Sequence, residues 1–184
     1  MAGLKFRVLL DSESNSEIFR DILISDTANF ESLFKAIVSS FRFEGDQMAS
    51  FYVSNDNWDK GEEISLMDMS YDDDLVESPA AIMKDATIKD FLKEPDQKFI
   101  LVYDFLRMWI FLVELIGYDK NSPATPEVLL AVGMAPPEDS REAADNEDLF
   151  AGELDDEEED ELGFNDYEDG MSDDDYSNLD EYEY

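Results

Sequence analysis

The chain has 184 residues, 43% of them hydrophobic, and its 48 acidic against 13 basic side chains give a formal charge of −35. That length and apolar fraction suit one core with an appendage, while the charge disfavours attachment to nucleic-acid phosphates, which draws its affinity from Lys and Arg. Cysteine and histidine are both absent, which excludes disulfides, thiolate nucleophiles, His-based triads and zinc sites built on imidazole.

Along the chain, Leu4, Phe6, Val8 and Leu10 alternate with polar residues, and Ile18, Ile22 and Ile24 repeat the period across the turn-rich Asp11-Ser-Glu-Ser-Asn-Ser. This is the pattern of a β-hairpin. Phe30, Leu33, Phe34, Ile37, Val38 and Phe41 then fall on one stripe of an α-helix, with Asn29 as N-cap and Glu31 placed to suit the helix dipole. Ala49–Val53 reads as a strand, Ser54–Gly61 as a polar loop, Glu63–Met67 as a short strand and Tyr71–Ala80 as a surface loop. Thr87 is expected to cap a brief helix through Leu92, ended by Pro95-Asp96. Lys98–Tyr103 and Trp109–Ile116 are rich in β-branched and aromatic residues and read as a hairpin buried on both faces, turning at Asp104–Met108. Asp104, Arg107 and Glu114 within this apolar stretch argue against a membrane span. Glu127–Val132 fits either a turn of helix or a strand, and Pro136-Pro137 marks a stop.

Beyond that stop the composition changes. Residues 138–184 hold 23 Asp and Glu against one Arg, a charge of −22, which leaves 25 against 12, or −13, for residues 1–137. A like-charged block such as Asp155, Asp156, Glu157, Glu158, Glu159, Asp160 and Glu161 cannot bury enough surface to offset chain entropy. The expected organisation is therefore a domain over residues 1–137 and a disordered acidic tail over 138–184. The fold class is α+β, a small mixed β-sheet with one main amphipathic helix over about residues 29–41 and a short second helix over about 87–92.

The chemistry-bearing candidates are few. Asp104 and Glu114 are the carboxylates set deepest in apolar sequence, and burial could raise the pKa of one of such a pair. The simpler reading gives Asp104 a turn hydrogen bond and Glu114 either solvent or Arg107. The loop Asn55–Gly61 alternates oxygen side chains, but aligning Gly61 with the sixth position of a calcium loop puts Trp58, Lys60 and Met67 where ligands belong. No phosphate-binding glycine motif or nucleophile elbow occurs, and no cofactor is expected.

The segments Phe6-Arg-Val-Leu-Leu, Asn29-Phe-Glu-Ser-Leu-Phe-Lys-Ala-Ile, Ala49-Ser-Phe-Tyr-Val and Lys98-Phe-Ile-Leu-Val-Tyr-Asp-Phe, followed by Trp109 and its strand, come in a recognisable order. Over residues 4–117 the chain resembles the plasmid pRiA ORF-3-like family, whose members are also described as TnpR-like passengers of insertion elements. The resemblance implies a small α+β fold with a mixed sheet and no established activity. Many relatives carry Gly-Asp-Asp after the Tyr-Asp-Phe element and Arg-His after the Trp. Here those places hold Leu106-Arg107-Met108 and Ile110-Phe111, and Phe34, Gln47 and Ala49 stand where histidines are common. A polar site in those relatives would be mostly missing from this chain, and recombinase chemistry is not carried over.

The functional expectation is a non-enzymatic, cytoplasmic interaction protein whose acidic body and tail bind a basic protein partner. Neither nucleic acid nor membrane is expected as a direct partner. The alternative is a small-molecule binder or carboxylate-dependent enzyme around Tyr103, Asp104 and Trp109. A leader peptide is not expected, because the alternating strand pattern begins at Leu4.

Overall fold

The computed structural model describes residues 1–69 and 80–143, where the two periodicities become eight strands and one α-helix. β1 (Gly3–Leu10) and β2 (Phe19–Ser25) pair antiparallel, Phe6 opposite Ile22 and Leu4 opposite Ile24, so their apolar series share one face. β3 (Ala49–Ser54), β4 (Glu63–Ser65), β5 (Ala81–Ile82), β6 (Lys98–Tyr103), β7 (Trp109–Asp119) and β8 (Glu127–Val132) complete a sheet ordered β5-β4-β3-β6-β7-β1-β2-β8. β4 and β5 run parallel and the other neighbours antiparallel, which makes the sheet mixed.

Helix α1 (Phe30–Ser40) covers one face of this sheet with Phe30, Leu33, Phe34, Ile37 and Val38, as its stripe predicts. Asn29 caps it by accepting from the Ser32 amide at 2.9 Å, a contact worth about 1 kcal/mol. The Phe30 ring packs edge-on against Phe51, Phe91 and Phe99 with centroids 5.1–5.3 Å away. The last turn of α1 contains no basic residue. Its carbonyl end is met instead by Arg20 of β2, whose Nε donates to the Ser40 carbonyl at 3.0 Å, supplying the positive charge that a helix C-terminus favours.

Several expectations change in detail. The second helix is a single 3-10 turn, Ile88–Phe91, and the Thr87 side chain makes no cap bond. Backbone contacts to the helix entrance hold this segment: Thr87 bridges Asn29, and the Ile88 amide donates to the Ala28 carbonyl. The strand expected over Glu63–Met67 stops at Ser65. Glu127–Val132 is an edge strand beside β2. β6 is buried on both faces, whereas β7 alternates buried positions, which join the core under α1, with half-buried ones on the opposite face. The acidic run Asp155–Glu161 and the loop expected at Tyr71–Ala80, apart from Ala80, lie outside the described residues. Among the described residues, no helix is long and apolar enough to cross a membrane.

Candidate functional site

The β6–β7 hairpin that drew attention in the sequence turns on Asp104, whose φ of 57° lies in the left-handed region that Asp tolerates better than most residues. Its Oδ1 accepts from the amides of Leu106 and Arg107 at 3.1 and 3.2 Å, and Oδ2 meets Arg107 Nη1 at 3.2 Å. The backbone closes the turn, with the Asp104 amide donating to Met48 and the Met108 amide to Asp104. A carboxylate only 2% exposed with both oxygens engaged is holding its own loop together. Glu114 lies 3.7 Å from Lys98, its direct cross-strand neighbour, rather than beside Arg107.

Tyr103 and Trp109 face each other across β6 and β7, and both pack on Phe43, with ring centroids at 6.0 and 5.0 Å. Their polar atoms meet the segment after Pro137. Tyr103 Oη donates to the Glu138 carboxylate at 2.6 Å and accepts from the Gly45 amide at 3.0 Å. Trp109 Nε1 donates to the Glu138 carbonyl at 3.1 Å. The second Glu138 oxygen accepts from the Glu44 amide at 2.7 Å. Three residues on, the Arg141 guanidinium lies over the Trp109 ring at 4.4 Å and donates to the Met108 carbonyl, while Arg107 Nε donates back to the Arg141 carbonyl. Residues 133–141 thus form a strap across this end of the sheet, closed by a 3-10 turn at Glu138–Ser140. Glu138 and Arg141, which composition assigns to the tail, are docked onto the domain.

Burial pushes the Tyr103 hydroxyl well above its ordinary value, and the hydrogen bond to Glu138 adds to the effect, since both favour the neutral phenol. Gly133, where β8 turns into the strap, has φ +76° and a Cβ there would lie 2.8 Å from the Glu17 carbonyl oxygen. Glycine is therefore needed at that corner.

Among the described residues, three clefts flank the strap, and Pro137 lines each of them. One of about 650 Å³ lies between the strap and the β1–β2 loop, with Trp109 and Arg141 in its wall. One of about 500 Å³ lies between the strap and the end of α1. The third, about 380 Å³, is ringed by Glu44, Asp46, Glu138 and Asp139 together with Arg42 and Arg107. Asp104 lines none of the three. None of the four ringing carboxylates is in an ion pair among the described residues, whereas Lys5, Arg7, Lys35, Lys93, Lys98 and Arg107 all are. No group of three or more metal-ligating side chains forms among the described residues, and in the loop Asn55–Gly61 the Asn55 oxygen is taken by the amides of Asn57 and Asp59.

This architecture defines a small α+β domain in which a single helix lies on one face of a mixed sheet and a C-terminal strap closes one end. The family model for plasmid pRiA4b ORF-3-like proteins matches residues 2–181, and the chain belongs to that family. Among solved structures it is similar to a crystal structure of a protein of unknown function from Methanosarcina mazei Go1. That likeness has a TM-score of 0.63 and 21% identity over 77% of this chain and 75% of the other, and it bears on the fold alone. No curated protein matches the chain.

Proposed function

We propose that this protein is a non-enzymatic, cytoplasmic binding protein whose acidic surface docks a basic segment of a partner protein. The observation that carries this reading is the cleft where Glu44, Asp46, Glu138 and Asp139 outnumber Arg42 and Arg107, and where none of the four carboxylates is in an ion pair among the described residues. Glu138 is held in place by Tyr103 and the Glu44 amide, so one acceptor in the ring is already oriented and loses little freedom on binding. A Lys or Arg from a partner would find compensating charge there. The overall charge of −35 would draw such a partner in over longer range.

Weighing against the enzymatic alternative around Tyr103, Asp104 and Trp109 is the prior use of those groups. Asp104 serves its own turn, and the polar atoms of Tyr103 and Trp109 serve the strap.

The test is fluorescence anisotropy of a labelled lysine-rich peptide with the full chain, against the same peptide with every lysine acetylated. Binding of the charged peptide alone, weakening as salt shortens the Debye length from about 10 Å at 0.1 M towards about 3 Å at 1 M, is the expected result. Equal affinity for both peptides, or binding indifferent to salt, overturns the reading.

A further inference from the structure

In a chain so rich in carboxylates, a cleft lined by two arginines and no acid is out of keeping. The cleft of about 500 Å³ between the strap and the end of α1 is such a place, lined by Arg20 and Arg42 with Phe41, Met134 and Pro136 among its apolar walls. Its volume falls in the range of small-molecule sites.

Arg20 is only 7% exposed. Three of its five donors are committed, Nε to the Ser40 carbonyl and Nη1 to the carbonyls of Phe19 and Val132. Its guanidinium lies over the Phe41 ring at 4.6 Å, which fixes the plane. The two hydrogens on Nη2 have no acceptor among the described residues. Arg42, just beyond α1, has φ 62°, and its side chain makes no ion pair or hydrogen bond among the described residues. The proton on Arg20 is held less firmly than usual, through burial first and the charge of Arg42 second. Two cations face one cleft, each raising the electrostatic cost of the other. A buried guanidinium normally has a carboxylate partner, and Arg20 has backbone carbonyls only.

We propose that this cleft binds a small organic anion, its phosphate or carboxylate head between Arg20 Nη2 and Arg42 and its apolar body against Phe41, Met134 and Pro136. Planar guanidinium forks match both head groups, and the hydrophobic walls select for a ligand with carbon attached rather than a bare ion. The cleft shares Arg42 and Pro137 with the acidic cleft that carries the functional reading, but the two are tested with probes of opposite charge, so either can fail alone.

Isothermal titration of the full chain with phenyl phosphate, benzoate, inorganic phosphate and neutral benzyl alcohol tests this. Saturable binding of at least one aromatic anion, tighter than inorganic phosphate and without a counterpart for the alcohol, is expected. The stronger of the two anions identifies the head group. Arg42 is exposed, so Arg42→Gln should fold normally and weaken that binding by about tenfold or more, while Lys84→Gln, an equal charge change at another exposed position, should leave it unaltered. Absence of saturable binding by either aromatic anion, equal binding of the alcohol, or an Arg42→Gln affinity equal to the parent's would overturn the proposal.

Discussion

Tyr103 donates its phenolic hydrogen to the Glu138 carboxylate at 2.6 Å, joining residues 35 positions apart in sequence. Together with the Trp109–Glu138 bond it makes the hairpin the anchorage of the strap. Hydrogen bonds to charged groups are worth about 1.5–3 kcal/mol, so Tyr103→Phe should lower the unfolding free energy by about that amount in urea denaturation. A loss under about 0.5 kcal/mol would mean that the strap holds without it.

The same pair sets a pH dependence. Because the folded-state pKa of Tyr103 is raised above the unfolded value of about 10, its contribution is complete below pH 10. It is lost as pH rises from there, the folded protein retaining a proton that the unfolded chain has released. Unfolding free energy should fall above about pH 10, and less steeply in Tyr103→Phe. Some slope remains in that variant, since burial also raises the hydroxyl of Tyr52. Parallel curves for parent and variant would contradict this assignment.

Asp104 offers a way to separate a turn residue from a chemical one. Asp104→Ala removes the acceptor for two amides and leaves at φ 57° a residue without the side-chain hydrogen bonds that make the left-handed region tolerable, which should cost about 2–4 kcal/mol. Asp104→Asn keeps an acceptor and tolerates the left-handed backbone, losing chiefly the Arg107 contact, so about 1 kcal/mol or less is expected. Similar losses for both, measured by denaturant titration, would show that the charge rather than the turn geometry matters there.

Self-repulsion at −35 should make the melting temperature rise with salt, by several degrees between about 10 mM and about 300 mM sodium chloride, as screening shortens the reach of like charges. A flat or falling melting temperature, followed by calorimetry, would show that the six cations ion-paired among the described residues already offset the repulsion.

Helix α1 was the most legible element, because Phe30, Leu33, Phe34, Ile37 and Val38 repeat at helical spacing behind a capping Asn29 and all five are buried. The turn hydrogen bonds of Asp104 were legible too. β8 was ambiguous, since Val128, Leu129 and Leu130 show no alternation. They lie at the sheet edge, where the ladder slips by one residue between Asp21 and Ile22, and all three are half exposed. The roles of Glu138 and Arg141 had no local signal, for they depend on a hydroxyl, an indole and a carbonyl far earlier in the chain. Arg20 was hidden by its strand position. Only the three-dimensional placement of Ser40 and Val132 shows that it clamps α1 to β8.

The most direct test of the account is the affinity of the full chain for a lysine-rich peptide, compared with a Glu44→Gln, Asp139→Asn variant measured by the same titration. Both side chains are exposed and unpaired among the described residues, so the variant should fold as the parent does. The account predicts binding weakened by roughly fivefold, about 0.5 kcal/mol for each charge removed from an exposed pair. Affinity equal to that of the parent would contradict it, because the basic segment would then be held elsewhere on the acidic chain.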